Sequence, residues 1–137
     1  MTKSLDHHAA LIYTMVTTSA VDRTMSGAEL SRIGEIVSHL PVFADYNADG
    51  LVDASQACGE LLGSEAGLEL VLELIRSGLP MKLRETAYAL ALEVAAADLD
   101  VRPEETRFLE LLAEALEIDM LTKTAIERGI RARNKIL

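Results

Sequence analysis

The sequence predicts an all-α protein, a compact bundle of about seven helices. Three observations predict it. Half of the residues are apolar, yet tryptophan is absent and aromatics are few. Ala and Leu dominate, with strong helix formers such as Glu and Arg between them, and no run of β-branched residues alternates as a strand would. A helix–turn–helix unit is written twice: residues 10–42 and 86–118 align without a gap. Asp22 falls on Asp98, Met25 on Val101, Glu29 on Glu105, Ile33 on Leu109 and Leu40 on Leu116. A duplicated unit implies two halves that pack on each other.

The elements follow in order. Leu11, Ile12, Met15 and Val16 form one helical stripe, which predicts a helix over 5–21. Ser26-Gly27-Ala28-Glu29 matches a capping box, in which the Ser hydroxyl takes the Glu amide and the Glu carboxylate reaches back. The helix it starts turns Leu30, Ile33, Ile36, Val37 and Leu40 inward and stops at Pro41, because a proline pushes its predecessor out of helical geometry. Residues 42–50 form a loop rich in Asp, Asn and Gly. A helix over 51–62 stops at Gly63. The next starts at Ser64 or Glu65, carries Leu68, Val71, Leu72 and Ile75, and ends at Gly78. A helix is expected over 81–97; from Ala87 to Ala97 it is nearly all apolar, apart from Glu93, and it therefore reads as the central, buried one. Pro103 opens a sixth helix that buries Phe108, Leu109, Leu112 and Leu116. A seventh begins near Asp119 and carries Leu121, Ala125, Ile126 and Ile130. Residues 1–137 show no linker and are expected to form one domain, with the third and fourth helices inserted between the repeats.

A net charge of −9 argues against nucleic acid, whose phosphates require a Lys/Arg surface. The one basic stretch, Lys123, Arg128, Arg131, Arg133 and Lys135, complements the dipole of the last helix; contact with an anionic membrane or an acidic partner is the other use for it. Cys58 stands alone and packs as a small apolar residue beside Leu61 and Leu62. With no disulfide within the chain, no convincing export signal and no apolar run of spanning length, the cytoplasm is the expected compartment.

Two acidic constellations stand out. One is the pair of turns: Asp22 and Glu29 in the first copy, Asp98, Asp100, Glu104 and Glu105 in the second. If the halves pack as a twofold pair, these carboxylates converge on a site for a hard divalent cation, calcium or magnesium. The same acids also serve helix ends, where an Asp caps and a first-turn Glu suits the dipole, each for roughly 0.5–2 kcal/mol. The other constellation runs from Asp45 to Gln56. Asp45, Asn47, Asp49 and Asp53 take the first, third, fifth and ninth positions of an EF-hand loop and Gly50 the sixth, but Gln56 stands where a bidentate Glu belongs. His7 and His8 point about 100° apart on a helix and, with His39, read as surface residues. No nucleophile–base pair, phosphate-cradling glycine loop or Cys/His zinc spacing occurs, so an enzyme is not expected.

The segment Glu85–Asp98, followed by Leu99-Asp100-Val101-Arg102-Pro103-Glu104-Glu105, resembles the TerB-like tellurite-resistance family. Its members show an alanine-rich helix, an A-D-G-x-hydrophobic-x-x-x-E turn and a Leu-rich helix. Ala125-Ile126-Glu127-Arg128-Gly129 is similar to the bacterial branch, and the resemblance runs from about Ala9 to Arg133. It implies an all-helical domain with a duplicated half and no known enzyme activity. It also implies a link to tellurite resistance and chemical-stress responses, with membrane-associated or metal-related protein partners. Carried over by position, the family's acidic cation or interaction site is Asp98, Asp100 and Glu105, matched by Asp22 and Glu29. The chain departs from the pattern at Leu99 and Arg23, which replace the turn glycine, and at Thr24, which stands where the second copy has Asp100. Tellurite is an anion that an acidic surface repels, so the resemblance names a phenotype, not a ligand.

Three functions follow as expectations. The first is a non-catalytic stress-response domain that binds a divalent cation or a protein partner through its acidic turns. The second is a calcium sensor using 45–56. The third is a scaffold that forms a homodimer through surplus Leu/Ala stripes on the fourth and sixth helices.

Overall fold

The computed structural model describes residues 5–21, 26–97 and 102–137. Among them are seven α-helices and no strand: α1 His7–Ala20, α2 Gly27–His39, α3 Leu51–Leu62, α4 Gly67–Gly78, α5 Arg84–Ala96, α6 Pro103–Ala115 and α7 Met120–Arg133. Short 3-10 turns at Pro41–Phe43, Ala48–Gly50 and Met81–Leu83 lead out of α2 and into α3 and α5.

Local chemistry sets most boundaries. Ser26 and Glu29 form the expected capping box: Glu29 N–H donates to Ser26 Oγ at 3.1 Å and Ser26 N–H to Glu29 Oε1 at 3.2 Å. Asp6 and Asp119 cap α1 and α7 through the amides of Ala9 and Thr122. Pro103 occupies the first turn of α6 as expected. Two starts differ from those the sequence predicts. α4 begins at Gly67, not at Ser64 or Glu65, because Ala66 adopts a left-handed conformation with φ of 55° that no helix continues through. α5 begins at Arg84, after the 3-10 turn. The α3–α4 corner is tight: a Cβ on Gly67 would lie 2.2 Å from the Leu61 carbonyl oxygen.

The most enclosed helix is α1. Every residue from Ala10 to Ser19 is buried, including Thr14, Thr17, Thr18 and Ser19. α1 packs against α2, α3, α4, α5 and α6. The sequence predicts that central place for α5 and a single apolar stripe on α1. The threonines explain the difference. Thr14 Oγ1 donates to the Ala10 carbonyl and Thr18 Oγ1 to the Thr14 carbonyl, both at 2.8 Å, so each hydroxyl is satisfied within its own helix and the methyl faces the core. Thr17 Oγ1 lies 3.4 Å from Cys58 Sγ on α3.

The repeats pack face to face. α1 lies on α5, α2 also touches α5, and α6 also touches α1. His8, at the start of α1, meets Val42 beyond the end of α2, so α1 and α2 are antiparallel. Arg32, near the start of α2, meets Glu93 near the end of α5, so α2 and α5 are antiparallel as well. α1 and α5 therefore run the same way and finish at one end of the bundle. α3 and α4 cover α1, and α7 covers α5.

Leu30 is corrected from inward to outward, at 58% exposure. The inner face of α2 is Glu29, Ile33 and Val37, spaced by four, and Leu30 lies a further 100° round the helix. On α4 and α6, Val71, Leu74, Ile75, Phe108, Leu109, Leu112 and Leu116 are buried, Leu68 and Leu72 are half-buried, and Leu70 is exposed. No helix of the described residues is long and apolar enough to cross a membrane.

Candidate functional site at the acidic end

Asp22, Asp98 and Asp100, with the neighbouring positions Arg23, Thr24 and Leu99, lie outside the described residues. Glu29 and Glu105, their companions in the motif, are described and fully enclosed, each 1% exposed. Both occupy the third position of their helix, one turn in from the end at which α1 and α5 finish. The repeat thus brings two carboxylates to equivalent places at the same end of the bundle. A carboxylate is among the side chains least often enclosed, because leaving water costs it several kcal/mol unless it is paired. Glu29 Oε1 receives the Ser26 amide, while Glu29 Oε2 is buried with no hydrogen-bond partner among the described residues. Arg102, at the N-cap of α6, provides no side-chain cap. The N-cap places of α2 and α6 belong to Ser26 and Arg102. Glu104 is exposed.

A third carboxylate, Glu93 on α5, is also enclosed; in the sequence it is the polar break in an otherwise apolar helix. Arg32 Nη1 donates to Glu93 Oε2 at 2.9 Å, and Arg133 Nε lies 3.1 Å from Oε1. The triad ties α2 and α7 to α5, and it uses one cation of the basic last helix. Sequence alone offered only an acid in an apolar helix as its signal, since both partners are far along the chain.

The segment 45–56 is built as a helix entry. Asn47 Oδ1 accepts the Asp49 amide at 3.0 Å, Gly50 has right-handed helical backbone, and α3 starts at Leu51. Asp45, Asn47, Asp49 and Asp53 are all exposed. Among the described residues no three His, Cys, Asp or Glu side chains gather closely enough to hold a metal ion. Asp45 instead approaches His8, whose Nε2 is 3.3 Å from Asp45 Oδ1 and donates to the Val42 carbonyl at 2.9 Å. His8 is buried against Phe43 and Tyr46, which corrects its reading as a surface residue. His39 is exposed.

Cys58 is enclosed between α3 and α1, and burial raises its thiol to about 11. It is therefore a protonated thiol at neutral pH, as its packing role requires. Tyr88 donates its hydroxyl proton to Glu127 on α7; burial, then that carboxylate, raises the phenol. Glu127 is held below its ordinary range. Partial burial opposes this, but the Tyr88 hydroxyl and the Lys123 ammonium, 2.9 Å away, prevail.

No curated protein and no solved structure gives a significant match to the chain. A family model does: the one described as "Tellurite resistance protein TerB" matches residues 8–126. That span takes in both repeats, the inserted α3–α4 pair and half of α7, all in the all-helical architecture expected of the family. With most of its length matched, the chain belongs to the TerB family of tellurite-resistance proteins.

Proposed function

We propose that this protein is a non-catalytic stress-response domain that binds a divalent cation, or a protein partner presenting one, through the acidic end of the bundle. The observation that carries the reading is the equivalence of Glu29 and Glu105. Two enclosed carboxylates at matching places, each with an Asp seven residues before it in the sequence, would supply an oxygen-only donor set. Such donors suit calcium or magnesium better than a softer metal. A cation would also compensate the buried oxygen of Glu29, whose isolation is otherwise costly. Tellurite is not the ligand in this reading. An acidic chain repels an oxyanion, so the protein acts in the response to it.

The test is a titration of the full chain with Ca²⁺, Mg²⁺, Mn²⁺ and Zn²⁺ while the melting temperature is followed. A hard cation is expected to raise it, and Glu29→Gln or Glu105→Gln to remove the rise. No shift at millimolar cation would sink the cation reading. An unchanged shift in both variants, but not after Asp45→Asn and Asp49→Asn, would move the site to the loop before α3.

A further inference from the structure

The two halves are not covered alike. α4 lies against α1, α3 and α6. Under the repeat, α1 corresponds to α5 and α6 to α2, while α7 flanks α5 as α3 flanks α1. The counterpart of the seat of α4 is therefore the space bounded by α5, α2 and α7. That space is a groove of about 720 Å³.

The residues record the difference pair by pair. Ala10, Tyr13, Phe108, Leu112 and Leu116 in the filled half are buried; their equivalents Thr86, Ala89, Arg32, Ile36 and Leu40 all line the groove and are only half-buried. The groove is a helix seat without its helix.

We propose that this groove docks an amphipathic helix of a partner protein, about three turns long, seated as α4 is on the opposite half. α4 itself is the template. It has 12 residues, about 18 Å at 1.5 Å per residue, and it buries Val71, Leu74 and Ile75 while Glu69 and Glu73 face outward. The groove offers matching apolar contacts in Ile36, Leu40, Leu90 and Ile130. Recognition is thus of the helix-in-groove kind, with anchors spaced by three and four. At one end Arg32 and Arg133 share the single carboxylate of Glu93, so an acidic side chain on the incoming helix meets a net positive corner there. Glu35, one turn along α2, disfavours a second acid beside it. This site is separate from the acidic end, and either reading stands if the other fails.

The probe is a synthetic end-blocked peptide with the sequence of residues 66–79, titrated into the isotope-labelled full chain and followed by NMR. Saturable shifts confined to Ile36, Leu40, Ala89, Leu90 and Ile130 are expected. Ala89→Arg and, separately, Ile130→Glu should weaken binding at least about tenfold with the fold retained; Ile130→Glu decides the matter if Ala89→Arg does not fold. No shifts at millimolar peptide, shifts centred on α1 and α6 from exchange with the resident α4, or binding indifferent to the substitutions would overturn the proposal. Concentration-dependent shifts at the same residues without peptide would also overturn it, by assigning the groove to a second copy of this chain.

Discussion

His8 and Arg84 occupy equivalent places in the two halves, and each donates a hydrogen bond to a carbonyl at or just past the end of the second helix of its own half. His8 Nε2 reaches Val42 O at 2.9 Å and Arg84 Nη1 reaches Leu116 O at 3.3 Å. Each bond closes its helix pair at the end opposite the acidic turn. The repeat thus extends two residues further than the aligned apolar positions suggest, through two residue types that share little beyond an N–H donor. We expect His8→Ala and Arg84→Ala each to lower stability by about 1–2 kcal/mol by leaving the carbonyl unpaired. Thermal unfolding measures this, and a change too small to resolve in both would show that the bonds contribute nothing.

The triad of Glu93 with Arg32 and Arg133 should respond unequally to its members. Glu93 is enclosed and Arg32 partly so, whereas the Arg133 side chain is 74% exposed. Glu93→Gln is expected to cost about 1–3 kcal/mol, because it leaves the Arg32 charge without its counterion. Arg133→Ala should cost less than about 1 kcal/mol, as an exposed ion pair does. Denaturant unfolding of both variants checks the order; equal losses would contradict it.

Cys58 makes stability fall in alkali. Its folded value lies near 11, raised from an ordinary value of 9. Below 9 the thiol is protonated in both states and its contribution is complete. Between 9 and 11 the unfolded chain releases the proton while the folded one holds it, so up to about 2–3 kcal/mol is lost as pH rises. Cys58→Ala should flatten this slope relative to the parent chain. The buried tyrosines add their own loss above 10 in both proteins, so only the difference is diagnostic.

α7 is fastened to α5 by the Tyr88–Glu127 hydrogen bond and by Arg133. None of its residues is fully buried. Tyr88→Phe keeps the ring and removes the donor, at a cost of about 1 kcal/mol. The expected signature is faster amide exchange confined to α7; uniform acceleration would mean that α7 unfolds only with the whole.

Much of the fold was legible because helix signals are local. The capping box at Ser26, Pro41, Gly63 and Pro103 each fix a boundary through neighbours in sequence. What was not legible depends on distant partners. Thr14 and Thr18 read as polar interruptions until their hydroxyls are seen to bond backward. Glu93 needed Arg32 and Arg133, and His8 needed Phe43, Tyr46 and the Val42 carbonyl. Of the candidate site, the pairing of Glu29 with Glu105 was visible in the repeat. Their burial was not, because apolar periodicity assigned the inward place to Leu30 rather than to a carboxylate.

Gly67 gives the α3–α4 corner a single point of failure. With the Leu61 carbonyl 2.2 Å from where even one methyl would sit, the smallest side chain must lever α4 away. The damage would not remain local. α4 walls in α1, so a hinge opened there would let solvent onto the most enclosed helix of the bundle, and one carbon added at a buried corner would be felt as the loss of a core.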